Sequence, residues 1–296
     1  MTDNGTVVGL FGLGNMGIAI ATRLRLGFDV VAFDPDPARQ ALGRDLGVRT
    51  VAGAAEVAAA TRQAVLSLPH PAVSRQVIDE LLAGWVSGGL VVETSTVTPA
   101  DARSAHDRCA GSDVRYMDAA ILSGVGPVTQ GTSTLLIGAE DDALDAARAI
   151  LDTICPTQKR LGPPGAGMAA KVINNAVAHA VYVVLAEAVA MAAATGVSMD
   201  DLVALLGDPD AGLLRPLTHR VGERLRDRSF SGGMATESAY KDSTLALELA
   251  QANGIPLFAI QAAHTAYQIA MATGMARLDY SVLATLWEGW TGRPCP

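Results

Sequence analysis

The sequence predicts an α/β protein in two parts, an N-terminal doubly wound parallel sheet and then an all-α domain, with a long interdomain helix between them. Three observations predict it. In the first half, short β-branched apolar runs alternate with helical patterns, as buried parallel strands and their crossovers do. A glycine-rich turn separates the first run from the first helix. Beyond Gly162-Pro163-Pro164-Gly165 no strand pattern returns, and a long helical stretch begins. A chain of 296 residues exceeds the size at which one core usually divides, so 1–163 and 164–296 are the expected domains.

The elements follow in order. Val7–Phe11 reads as a strand and Met16–Leu26 as a helix; Val30–Phe33 is a second strand, with a helix from about Ala38. Ala64–Leu68, Leu90–Glu93, Tyr116–Asp118 and Leu135–Ile137 read as further strands. Helical segments such as Ala100–Cys109 and Asp142–Ile154 lie between them. One helix then runs from about Gly167 to Thr195, which at ~1.5 Å per residue spans roughly 40 Å, long enough to bridge two domains. Met199–Leu206, Glu237–Asn253, Leu257–Thr273 and a short Asp279–Trp290 complete the helical half.

Composition narrows the function. Half the residues are hydrophobic and the net charge is −8, which argues against a nucleic-acid or anionic-membrane surface. The stretch 168–194 is apolar, yet it holds Lys171, Asn174, Asn175, His179 and Glu187, so a membrane span is not expected. Cys109, Cys155 and Cys295 are sparse and without metal-like spacing, which fits reduced thiols, a cytoplasmic location and no metal.

Gly12-Leu13-Gly14-Asn15-Met16-Gly17 is G-x-G-x-x-G, placed after a strand and opening a helix, the context of a Rossmann dinucleotide site. Gly12 suits the tight turn, Gly14 the close approach of backbone to pyrophosphate, and Gly17 the packing of helix on sheet. The helix N-terminus offers free N–H groups to the phosphates. Asp34 ends the second strand, twenty residues beyond Gly14, where a carboxylate accepts from ribose hydroxyls and repels a 2′-phosphate. Pro35 follows it and the nearest arginine is Arg39, so NAD is favoured over NADP. Ser67-Leu68-Pro69-His70-Pro71 and Glu93-Thr94-Ser95-Thr96 end later strands and should line the same crevice. Lys171 and Asn175 stand at i and i+4 on one helical face. By themselves these residues leave Lys171 either as a solvated lysine at a helix start or as a group acting with Asn175 on a substrate oxygen.

Taken together, Gly12–Gly17, Ser67-Leu68-Pro69, Glu93–Pro99 (E-T-S-T-V-T-P), Asp118–Gly131, Gly165–Asn175 (G-A-G-M-A-A-K-V-I-N-N) and Lys241-Asp242 resemble, in this order, the motifs of the β-hydroxyacid dehydrogenase family of 3-hydroxyisobutyrate dehydrogenase-like enzymes. The resemblance covers nearly the whole chain. It implies an NAD-dependent oxidoreductase that oxidises a 3-hydroxy acid, or reduces the matching semialdehyde, with Lys171 as general acid/base. It places Leu68 and Pro69 over the dinucleotide, Thr96 near nicotinamide and substrate, Asn175 on the substrate, and Lys241 and Asp242 at the cofactor edge. Family-like assembly implies a homodimer or homotetramer acting on a small-molecule substrate.

One departure stands in the substrate motif. Where the family reads S-G-G, this chain reads Leu122-Ser123-Gly124, so Leu122 replaces the serine that helps bind the substrate carboxylate. Ser123 offers a hydroxyl one position on. Met234 stands roughly where relatives often place a pocket phenylalanine, which fits either a softer pocket or plain core packing. Two alternatives therefore stay open: a reductase of a carbonyl or imine without a carboxylate on the same fold, and a non-catalytic dinucleotide-binding protein. The intact glycine loop and Lys171 weigh against the second.

Overall fold

The computed structural model describes residues 6–85 and 87–295. They form two compact units, one ending at Ala176 and the other starting at Val177. The division falls inside the long helix rather than at the Gly162-Pro163 turn, because the Gly165 and Met168 N–H groups at the start of that helix are bonded to Asp118 in the sheet of the first unit.

The first unit is built on β1 (Val7–Phe11), α1 (Asn15–Leu24), β2 (Asp29–Phe33), α2 (Pro37–Asp45), β3 (Arg49–Thr50), α3 (Ala54–Ala60), β4 (Gln63–Leu66) and α4 (Pro71–Gly84). It continues with β5 (Leu90–Glu93), α5 (Pro99–Ala110), β6 (Arg115–Ile121), α6 (Val125–Gln130), β7 (Thr134–Gly138), α7 (Asp141–Ile154), β8 (Thr157–Gly162) and the start of α8 (Ala166–Thr195). The strands form one sheet in the order β3-β2-β1-β4-β5-β6-β7-β8. All neighbours are parallel except β6 and β7, which run antiparallel. Winding runs one way from β1 to β3 and the other way from β4 onward. The switch point, where ligands bind such sheets, lies between the carboxyl ends of β1 and β4.

Period-two alternation gives the sheet two buried faces. Leu10, Val65, Val92, Met117 and Ile137 face one apolar cluster with α1 and α7. Phe11, Leu66, Val91, Tyr116 and Leu136 face the other with α3, α4 and α5. Helix starts follow local chemistry. Asp36 accepts the Ala38 N–H at 2.8 Å with Pro37 beside it, and Thr98 and Asp101 form a capping box ahead of Pro99.

The second unit holds the remainder of α8, then α9 (Met199–Gly207), a π-helical segment (Pro216–Leu225), α10 (Thr236–Ala252), α11 (Ala259–Ala272), a 3₁₀ turn (Tyr280–Leu283) and α12 (Ala284–Thr291). Two buried carboxylates organise it. Glu187 on α8 accepts the N–H groups of Phe258, Ala259 and Ile260 at 2.5, 2.8 and 3.0 Å, satisfying the free amides at the start of α11. Asp279, fully buried, accepts from Met234 N at 3.1 Å and Ser281 N at 3.0 Å and lies 3.5 Å from Arg220 and 3.6 Å from Arg224. It needs glycine at Gly233 (φ +72°), where a Cβ would sit 2.3 Å from its carboxylate.

Candidate active site

The site assembles at the carboxyl edge of the first unit's sheet. Gly12, at φ +90°, turns the chain out of β1; a Cβ there would lie 2.2 Å from the Ser67 carbonyl oxygen. At Gly17 a Cβ would lie 2.0 Å from the Gly12 carbonyl oxygen, so this glycine lets α1 pack onto the turn. Gly14 is different: a Cβ there meets nothing within 4 Å. Its lack of a side chain serves no protein neighbour and leaves room for a ligand. Gly14 also heads α1 with no side-chain cap, so the helix presents bare N–H groups.

Asp34 is buried and holds this loop. Its Oδ2 accepts the Leu13 N–H at 2.7 Å and its Oδ1 the Asp36 N–H at 2.9 Å. Each oxygen keeps a further lone pair for a ribose hydroxyl. Arg39 donates to Asn15 Oδ1 at 3.1 Å, a contact the sequence spacing does not reveal. Next to the loop lies an apolar hollow lined by Phe33, Pro35, Leu68, Val73, Gln76 and Val77, a surface suited to an adenine ring. The uncapped helix, the open Gly14 and the Asp34 carboxylate together fit a nicotinamide dinucleotide.

A second hollow adjoins the first along Leu68. Met16 from the glycine loop, Leu68 and Pro69 after β4, Thr96 after β5, Ser123 after β6 and Lys171 on α8 all line it. Its walls are cross-braced. Thr94 Oγ1 donates to the Leu66 carbonyl at 2.6 Å, and Ser95 Oγ accepts the Leu68 N–H at 2.7 Å. Thr96 is exposed beside them. Ser123 Oγ shares a 2.5 Å hydrogen bond with the buried Ser133 hydroxyl, which fixes its direction. Leu122 is not part of this wall. It is half-buried against the apolar cluster of the α3–α5 face, because successive residues leaving β6 point to opposite sides of the sheet. Gly124 caps α6 in the open.

Lys171 is half-buried, and burial lowers its pKa below the ordinary lysine range. One turn on, Asn175 shares its face, with Asn174 Nδ2 donating to Asn175 Oδ1 at 3.4 Å. Asp118, fully buried on β6, anchors the helix that carries Lys171. Its carboxylate accepts the Gly165 N–H at 2.6 Å and the Met168 N–H at 2.8 Å. Burial raises the Asp118 pKa, opposed by these backbone amides. The close approach depends on Gly167, where a Cβ would meet the Leu136 carbonyl at 2.3 Å and Asp118 Oδ2 at 2.8 Å. Within the Asp118–Gly131 motif the sequence alone assigns Asp118 no role; the sign of one is a strand-end carboxylate facing a G-x-G helix start.

The remaining candidates lie on the second unit. Met234 is half-buried, its N–H bonded to Asp279 at 3.1 Å. Lys241 pairs with Asp242 at 2.8 Å, both exposed. His179 is exposed on α8, and Trp287 and Trp290 stack edge-to-face at 5.2 Å on the surface of α12.

The chain is similar to known proteins. A family model described as the NAD binding domain of 6-phosphogluconate dehydrogenase matches residues 7–162. A second, described as NAD-binding of NADP-dependent 3-hydroxyisobutyrate dehydrogenase, matches residues 165–287. The chain belongs to the β-hydroxyacid dehydrogenase family. It is 27% identical over 289 residues to a 2-(hydroxymethyl)glutarate dehydrogenase of Eubacterium barkeri, covering 96% of each chain. It is 28% identical over 302 residues to an NAD-dependent L-serine dehydrogenase of Pseudomonas aeruginosa, covering 97% of this chain and 99% of that one. Among solved structures, a 3-hydroxyisobutyrate dehydrogenase of Mycobacterium tuberculosis with L-serine superposes with TM-score 0.66 at 28% identity, covering 95% of this chain and 99% of the other. An imine reductase from a Pseudomonas species gives TM-score 0.86 at 23% identity, covering 96% and 100%, and shares the fold. Members of this family are nicotinamide-dependent oxidoreductases, and this chain carries both of their dinucleotide-binding domains.

Proposed function

We propose that the protein oxidises a small 3-hydroxy acid, or reduces the matching semialdehyde, with NAD as its cofactor and Lys171 as general acid/base. One observation carries this reading. The half-buried Lys171 amine lines the same hollow as Thr96, Ser123 and the loop that follows β4. When bound, the nicotinamide supplies the hydride acceptor. In the oxidative direction the neutral Lys171 amine takes the hydroxyl proton as the carbon–oxygen bond becomes a carbonyl, and in the reductive direction the ammonium returns it. Asn175 holds the reacting oxygen from the same helical face. Ser123, fixed by Ser133 and lining the hollow, recognises the carboxylate. The relatives named for hydroxy acids support this substrate class. A carbonyl or imine without a carboxylate is the second reading; it is favoured because, among the described residues that line the hollow, Lys171 is the only cation and no second one is there to pair with a carboxylate.

Asp34 sets the cofactor preference. A carboxylate already holding the glycine loop rejects a 2′-phosphate, so NAD is expected over NADP by at least about tenfold in kcat/KM, some 1.4 kcal/mol. Asp34→Ser combined with Pro35→Arg should move the preference toward NADP. Equal use of both cofactors by the native enzyme would contradict the assignment.

The helical half points to a homodimer or homotetramer. In the single chain α8 is long and apolar enough, by length and composition, to cross a membrane, and only 11% of its most apolar window is buried. Val177 and Tyr182 on α8, Phe258 before α11, and Trp287 and Trp290 on α12 are all exposed. A second copy of the chain covers such surfaces while leaving Glu187 its bonds to α11. Light scattering should therefore give at least twice 30.5 kDa at micromolar concentration; a stable monomer refutes this assembly. A cytoplasmic location belongs to the same reading. Burial pushes the Cys109 thiol up to about 12, and Cys155 is also raised, so neither is poised for redox chemistry.

A further inference from the structure

Glu93 ends β5 with its side chain buried, and it is tied to the wall of the Lys171 hollow. Its Oε1 accepts the Ser95 N–H at 2.9 Å, and Ser95 Oγ accepts the Leu68 N–H at 2.7 Å. One carboxylate thus fixes the 93–96 turn, and that turn fixes the loop after β4. On its other side Glu93 faces a small cavity with Ser74 of α4 and Tyr116 of β6. The Ser74 and Tyr116 hydroxyls are buried there without a hydrogen-bond partner.

We propose that Glu93 is a positioning residue whose state of ionisation sets the grip of the 67–69 loop, and through it the affinity of the site for a nicotinamide dinucleotide. The proposal rests on reading the first unit as the dinucleotide site. As a carboxylate, Glu93 makes a charge-assisted bond to the Ser95 N–H, stronger than the bond a neutral acid makes. As an acid, it carries a proton that needs an acceptor, and the two unpartnered hydroxyls across the cavity offer one. Donation to them draws the group away from Ser95 and slackens the turn.

The surroundings place this change in the working range. Burial pushes the Glu93 pKa up to about 7, opposed by the hydroxyls of Ser95 and Ser74, although Ser74 makes no well-formed bond to it. Asp118 on β6 adds like-charge repulsion. Among the described residues no cation facing the cavity is free to hold Glu93 ionised: Arg75 of α4 pairs with Asp101 of α5 at 3.5 Å, and Arg108 of α5 pairs with Asp79 of α4. Tyr116 on β6 is itself pushed up by burial and by Glu93, and stays neutral. His70, which heads α4, is the other group near the loop that needs a control.

The test measures NAD binding to the purified full-length protein by titration calorimetry at pH 6 and pH 8, in the native protein and in Glu93→Gln, Ser95→Ala and His70→Asn. The native protein should bind NAD about three- to tenfold tighter at pH 8. Glu93→Gln should bind equally at both values, near the weaker native affinity. Ser95→Ala should also lose the pH dependence, because it cuts the link to Leu68, and His70→Asn should keep it. Amide NMR of the free protein gives a second readout: the Ser95 and Leu68 N–H signals should titrate together near pH 7. If Glu93→Gln does not fold, Ser95→Ala and this titration carry the test. Native binding without pH dependence, full dependence in Glu93→Gln or Ser95→Ala, or its loss in His70→Asn overturns the proposal alone. Absence of NAD binding at both values overturns it together with the cofactor reading.

Discussion

Lys171→Ala should lower kcat by roughly 10²–10⁴, the usual worth of a positioned acid/base, while NAD affinity stays within a few-fold. The separation is expected because Lys171 sits on α8, whereas the proposed dinucleotide-binding residues are the glycine loop and the Asp34 that is bonded to it. Stopped-flow absorbance for turnover and calorimetry for binding resolve the two effects. The pH dependence has a definite sign. Oxidation needs the neutral amine, so its kcat should rise with pH and level off above the Lys171 pKa. Reduction needs the ammonium, so its kcat should fall over the same range. Burial already moves that pKa below the ordinary lysine range, and a cationic nicotinamide moves it further down. In Lys171→Ala both limbs should flatten. A variant with near-native kcat would remove Lys171 from the chemistry.

The second large effect separates the glycines of the loop by what each one serves. Gly14→Val should fold like the native protein, because its side chain meets no protein atom, yet it fills space the structure leaves open beside bare helix N–H groups. Overpacking of about 1–3 kcal/mol there corresponds to roughly 5- to 150-fold weaker NAD binding. Gly17→Ala should do the opposite. Its Cβ would sit 2.0 Å from the Gly12 carbonyl, so α1 must move and stability should fall by about 1–3 kcal/mol, seen as a lower urea midpoint. If Gly14→Val bound NAD normally, the pyrophosphate would not approach this turn.

These contrasts show what a sequence discloses and what it withholds. The strands with strong apolar runs, β1 and β5, fall where the pattern puts them, because buried parallel strands are nearly continuous hydrophobic segments. β8 escapes the pattern: Thr-Gln-Lys-Arg-Leu-Gly is a mostly exposed edge strand with no apolar run to announce it. β3 has only two residues, and the π-helical segment Pro216–Leu225 buries no residue fully and holds Pro216, Thr218 and Gly222, all weak helix formers.

The glycine loop and Asp34 were legible as a set, since their roles follow from spacing along one strand–turn–helix unit. Leu122 was not. The resemblance to the family motif puts it at a substrate position, but the pleat turns it, half-buried, to the apolar cluster on the other side of the sheet and gives the hollow to Ser123. The part played by Asp118 depends on contacts 47 and 50 residues away in sequence, which no local pattern encodes. Glu93 reads locally as a strand-end carboxylate, and only the packing of α4 and β6 around it shows that it is buried.

The most direct measurement of the central claim is NAD reduction at 340 nm across a panel of 3-hydroxy acids, their carboxylate-free alcohol counterparts and, in the reverse direction with NADH, the matching semialdehydes and simple imines. Native enzyme and Lys171→Ala are compared side by side. The account predicts turnover of at least one 3-hydroxy acid, higher kcat/KM than for its carboxylate-free counterpart, and loss of that turnover in Lys171→Ala. Reduction of imines or carboxylate-free carbonyls at undiminished rate in Lys171→Ala, with no 3-hydroxy acid or semialdehyde turned over, would contradict it.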